Sequence, residues 1–85
     1  MSHALATTLL HSIELGLAEH KLALAHKQLV HMLAYCNLDR EPYYVDQSKL
    51  IINQMKLKNW EPCSALIQQT ARRAITDYSK REVIE

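Results

Sequence analysis

Apolar residues recur along this chain with the period of a helix. In the first third, Leu15, Ala18, Leu22, Ala25, Leu29, Met32 and Cys36 follow one another at alternating steps of three and four residues, the a/d stripe of a heptad repeat. Large and small side chains alternate along it. An alanine in each layer lets a neighbouring helix axis come close, and the leucine fills the gap beside it. A second stripe, Ala6, Leu9, Leu10, Ile13, Leu17 and Leu24, covers a different face. The helix predicted over residues 3–37 is therefore apolar on two sides around residues 13–25, and such a helix sits between partners rather than at an edge.

Two prolines divide the remainder. Pro42 disfavours helical backbone at Glu41, so the segment from Asn37 to Val45, with Tyr43 and Tyr44, reads as a connector. Asp46 then offers an N-cap for a second helix over 46–58, with Leu50, Ile51 and Met55 on one side. Pro62 suits the first turn of a third helix over 61–81, which places Cys63, Leu66, Ile67, Ala71, Ala74, Ile75 and Tyr78 on one face. Trp60 plugs the corner between these two helices, and residues 82–85 form a frayed tail. The expected fold is all-α, a single domain over residues 1–85 with a long N-terminal helix followed by a helical hairpin.

Length turns this into an assembly prediction. A helix of about 35 residues is roughly 50 Å long, whereas a compact chain of this size is roughly 30 Å across. Either the first helix breaks near Gly16, the only glycine, or a second chain covers the excess. Because the heptad stripe continues past Gly16, a helical-bundle homodimer is expected, with antiparallel pairing of the first helices through Leu15, Ala18, Leu22, Ala25, Leu29 and Met32. The alternation resembles the Ala/Leu layering of the small dimeric ROP-type bundles. The resemblance concerns packing alone and implies no functional residue.

Composition narrows the function classes. The chain has 85 residues, 48% of them hydrophobic, with one Gly and two Pro, which is globular rather than disordered. It is too short for an enzyme with a deep cleft. A net charge of +1 supplies no strong field for nucleic acid. Residues 1–41 carry three basic and four acidic side chains, or −1, and residues 42–85 carry seven and five, or +2. Cys36 and Cys63 are too few for a disulfide scaffold and read as reduced thiols of a cytoplasmic protein. The charge-free stretch from Ser2 to Ile13 lacks a basic flank and falls short of the roughly 20 apolar residues that cross a bilayer, so no membrane partner is expected.

Candidate chemistry adds little. His3, His11, His20, His26 and His31 are separated by 8, 9, 6 and 5 residues, whereas a metal-binding pair on one helix needs three or four. No cysteine or carboxylate completes a tetrahedral set nearby, so neither metal nor cofactor is expected. His11 falls in the heptad register, where charging the imidazole would oppose burial. Cys36 and His31 point to different faces, Cys63 has no local histidine, and Glu14 and Glu19 are not placed as a pair, so no enzyme activity is expected. Two binding functions remain. The favoured one is a small regulatory or adaptor protein acting by protein–protein contact, with Tyr43, Tyr44 and Trp60 as aromatic anchors. The alternative is a helix-turn-helix-like DNA-binding regulator. Its third helix would present Ser64, Gln68, Gln69, Arg72 and Arg73 to base edges, while Lys56 and Lys58 before it and Lys80 and Arg81 at its end meet phosphates. A turn without glycine and a near-neutral chain weigh against it.

Overall fold

A computed structural model describes the backbone of residues 2–84 and the side chains of residues 4–81. Among the described residues the regular structure is helical throughout: α1 (Ser2–Ala18), α2 (Leu22–Tyr35), α3 (Pro42–Lys56) and α4 (Trp60–Ile84). The all-α expectation holds, but the long first helix is two helices.

The break falls at residues 19–21, not at Gly16. His20 takes a left-handed backbone, φ 57°. Its N–H donates to the Leu17 carbonyl at 3.1 Å, and the Lys21 N–H donates to the Gly16 carbonyl at 2.8 Å. That pair of bonds is a Schellman closure, which satisfies carbonyls a helix end otherwise leaves open. The chain then folds back, and α1 packs along α2. Gly16 serves the close approach of the two helices: a Cβ there would lie 3.4 Å from the Ala25 Cβ and backbone nitrogen.

The same closure ends α2 and α3. Asn37 (φ 58°) donates to Ala34, and Leu38 to Leu33; Lys58 (φ 58°) donates to Met55, and Asn59 to Gln54. Leu38 follows Leu33 into the core, the apolar pair of positions that accompanies the motif.

Three expectations about element limits are corrected. Pro42 is the first residue of α3, with Glu41 extended before it (φ −75°, ψ 136°). A proline there loses no hydrogen bond, because the first amides of a helix have no internal partner. Tyr43, Tyr44 and Val45 therefore lie in the first turns of α3 rather than in a connector, and Asp46 is an exposed residue inside the helix rather than its cap. The helix carrying Pro62 starts at Trp60 and runs through Ile84, so residues 82–84 are helical rather than frayed; Glu85 lies outside the described residues.

α4 is the central element. It packs on α1, α2 and α3, while α3 rests principally on α4. The core draws Ala6 and Ile13 from α1, Ala25, Leu29 and Met32 from α2, Tyr44 and Ile51 from α3, and Cys63, Ile67, Ala71 and Ala74 from α4. The extents are 40 × 26 × 15 Å, and the shortest accommodates about two helix layers with axes 8–10 Å apart.

This geometry divides the heptad stripe. Ala25, Leu29, Met32 and Cys36 are at most 1% exposed within the single chain, so they pack inside the protomer instead of facing a second copy. Leu15 is 59% exposed, Ala18 is exposed, and Leu22 is half-buried. The turn at 19–21 carries the stripe from the outer face of α1 to the inner face of α2.

Candidate interaction surfaces

The three aromatic residues expected to anchor a partner are largely committed to the protomer. Tyr44 is buried, and its hydroxyl donates to Asp77 Oδ2 at 2.5 Å. Burial, and after it the bond to Asp77, pushes the Tyr44 phenol well above the usual tyrosine range. Tyr44 is therefore a packing residue and not a surface anchor. Tyr43 stays half-buried, edge-on to Tyr44 with ring centroids 4.9 Å apart. The Arg73 guanidinium lies 4.1 Å above the Tyr43 ring, a cation–π contact. Trp60, also half-buried, stacks on His20 at 4.3 Å with the planes 14° apart. That stack joins the α1–α2 turn to the α3–α4 turn.

The polar face of α4 is likewise tied to its neighbours. Arg72 Nη2 donates to Glu14 Oε2 at 2.5 Å and Gln68 Nε2 donates to the same oxygen at 3.4 Å, which fastens α4 to α1. Arg73 pairs with Asp77 at 3.7 Å while covering Tyr43 of α3. Ser64 Oγ donates to the Glu61 carbonyl at 3.1 Å. Gln69 and Lys80 are exposed. Arg81 Nη1 donates to the carbonyls of Cys36 and Asn37, each at 3.2 Å, and its Nη2 bonds Glu41. One guanidinium thus clasps the negative end of α2 to the entry of α3. All three arginines of α4 are spent on the chain's own carboxylates. Asp77 lies four residues from Arg73 on the same helix, a spacing visible in the sequence, whereas Glu14 and Glu41 escape sequence reasoning, because their contacts span 58 and 40 residues and no local spacing announces them.

The lysines of α3 and its exit differ. Lys49, Lys56 and Lys58 are exposed, and none is among the ion pairs of the described residues. Residues 47–60 contain these three lysines and no acidic side chain. Leu50 and Leu57 stand beside them, 48% and 59% exposed.

The outer face of α1 has a third character. Ala4, Thr8, His11, Leu15 and Ala18 are all exposed and lie at steps of four, three, four and three, with exposed Leu5 alongside. None of the six is acidic or basic apart from the imidazole. Leu24 and Val30 of α2 are exposed as well.

Reactive groups do not converge. The Cys63 thiol is buried, 3.7 Å from the Ile51 carbonyl, and burial raises it above the ordinary cysteine range; Cys36 is buried too. Burial lowers His26 below the usual imidazole range. Among the described residues no three of histidine, cysteine, aspartate and glutamate are grouped to hold a metal ion. None of the described helices is long and apolar enough to cross a membrane. No known protein family matches the chain, and comparisons with curated proteins and with solved structures find no match either.

Proposed function

We propose that this protein is a non-enzymatic adaptor or regulatory module that acts by protein–protein contact and self-associates through the outer face of α1. The observation that carries the reading is the uncharged, exposed stripe Ala4, Thr8, His11, Leu15 and Ala18, which has the 4-3-4-3 spacing of a helix–helix seam. Antiparallel pairing of two such stripes about His11 sets Ala4 against Ala18, where two small residues let the helices approach closely, and Thr8 against Leu15, where a large residue fills the space beside a small one. Leu15 and Ala18 belong to this seam, Leu22 lies at its edge, and Ala25, Leu29 and Met32 stay in the protomer core.

The energy is modest. Covering an exposed leucine or valine completely is worth about 1.5–3 kcal/mol. Leu5 and Leu15 are 46% and 59% exposed, so covering them in both copies gains on the order of 5 kcal/mol. Association opposes this by roughly 4–15 kcal/mol. The expected dimer is reversible and concentration-dependent, not obligate.

Sedimentation velocity over a concentration series tests this. The wild type should shift from monomer to dimer as concentration rises. Leu15→Glu with Ala18→Glu should remain monomeric and keep its helicity, because both side chains are outside the core. A wild type that stays monomeric throughout, or a double variant that dimerises as before, overturns the self-association reading. Charge pairing within the chain argues against DNA reading by α4. Salt-sensitive retention on duplex DNA that Arg72→Ala with Arg73→Ala abolishes would restore that alternative.

A further inference from the structure

We infer that the free face of α3 docks an acidic amphipathic helix from a different protein. This deepens the protein–protein reading above and is independent of self-association. α3 rests principally on α4, with Tyr44 and Ile51 directed inward. On the opposite side Leu50 and Leu57 are seven residues apart and share a face, with Asn53 between them. Lys49 and Lys56, also seven apart, flank this ridge, and Lys58 follows at the helix exit.

The charge says what covers the face. Lys56 and Lys58 complement the negative end of α3, but Lys49 is mid-helix and has no such role. Asp46 is the single acid on this face, one turn before Leu50, and it too forms no ion pair among the described residues. A ridge of two leucines with unpaired lysines alongside is complementary to a helix with an apolar stripe and carboxylate flanks. A second copy of this chain does not supply that helix. Among the described residues Glu14, Glu41 and Asp77 are held by arginines and Glu19 pairs with Lys21, while the exposed Asp39, Asp46 and Glu61 lie apart, in the α2–α3 connection, on α3 and on α4, so no described helix offers an apolar stripe flanked by two free carboxylates. A bilayer fits less well, since Asn53 and Asp46 lie along the centre of the face and would enter the apolar zone. Nucleic acid fits less well again, because it leaves Leu50 and Leu57 uncovered.

The test is a selection of displayed random peptides of about 15 residues, long enough to lie along α3, against the full chain. Enriched sequences should be net acidic with apolar residues at helical spacing. Their affinity should fall by about ten-fold or more on Lys49→Glu with Lys56→Glu, fall similarly on Leu50→Ser with Leu57→Ser, and weaken as salt rises. Lys49→Gln with Lys56→Gln makes the same comparison if charge reversal disturbs the helix. The variant Leu15→Glu with Ala18→Glu should bind these peptides as the wild type does, so failure of the α1 seam and failure of the α3 face are told apart. The inference is overturned if nothing is enriched, if neutral or basic sequences are enriched, or if the lysine variants keep full affinity. It is also overturned if phosphatidylserine vesicles or duplex DNA bind through the same lysines where acidic peptides do not.

Discussion

Lys58 closes α3 with a left-handed backbone, φ 58°, while its side chain is exposed and forms no ion pair among the described residues. Lys58→Gly therefore isolates the cost of that conformation. A left-handed residue with a Cβ costs roughly 1–2 kcal/mol, and glycine returns about 0.4–1 kcal/mol of this through its freer unfolded chain. The net expectation is a gain of about 0.5–1 kcal/mol, or roughly 3–6 °C in Tm for a domain of this size. The control is Lys58→Ala, which keeps the strain and should lie within a few tenths of a kcal/mol of wild type. Asn37→Gly should gain less, since asparagine tolerates this conformation. His20→Gly should gain least or lose stability, because it gives up the stack on Trp60, worth about 0.5–1.5 kcal/mol. Urea unfolding followed by far-ultraviolet circular dichroism reads the series without depending on the Trp60 environment. The slope with denaturant should stay constant, so that midpoints report stability alone. A Lys58→Gly protein no more stable than Lys58→Ala would refute the left-handed closure of α3.

Substitutions at three further residues probe the packing and the ties between helices. Thr70 is fully buried and its hydroxyl oxygen has no partner, so Thr70→Val should stabilise by about 1 kcal/mol in the same unfolding assay; a loss of stability would show that the hydroxyl is satisfied. Arg81→Ala should cost about 1–2 kcal/mol, since it frees the carbonyls of Cys36 and Asn37 and leaves Glu41 unpaired, with screening keeping the figure low for so accessible a pair. Arg81→Lys should recover only part of the loss, because an ammonium lacks the planar fork that reaches both elements. The Tyr44 phenol is raised in the folded state, so its contribution is fully present below the unfolded tyrosine value of about 10 and is lost as pH climbs through the folded value. Unfolding midpoints should accordingly decline above pH of about 10, and Tyr44→Phe should remove part of that decline; an unchanged alkaline slope would refute the raised phenol.

Helix class and most core positions are legible in the residues. Ile13, Ile51, Cys63, Ile67, Ala71 and Ala74 fall on the expected apolar faces and are buried. The end of α2 near residue 37 is also legible, since asparagine is a familiar left-handed closure. The break at residues 19–21 is not. His20 is neither glycine nor proline, and the stop there is imposed by α1 packing back on α2. Periodicity hides it further: Ala18 and Leu22 are four apart across the turn, so the 3-4 count runs on as if the helix continued. Pro42 shows the opposite ambiguity. The constraint it places on Glu41 is the same whether it sits in a connector or opens a helix, and only the extended Glu41 followed by helical Tyr43 decides.

Arginine and lysine are used differently across this fold, and that division gives its surface meaning. The planar guanidiniums of Arg72, Arg73 and Arg81 join α4 to α1, to α3 and to the α2–α3 junction, tasks that need several directed donors from one side chain. With the charge of these three balanced inside the chain, the positive surface is left to exposed Arg40 and to lysines, three of which cluster on residues 47–60. Glu14 ties α1 to one flank of α4, whereas Tyr43 and Tyr44 tie α3 to Arg73 and Asp77 of the same helix. The uncharged stripe on α1 and the basic ridge on α3 thus belong to separate helices that share α4 as their support. Charge reversal on α3 should leave pairing through α1 intact, because neither surface supplies residues to the other. An adaptor requires that independence, and sedimentation of Lys49→Glu with Lys56→Glu reads it directly: the variant should dimerise at wild-type concentrations, and a shifted equilibrium would mean that the two surfaces are one.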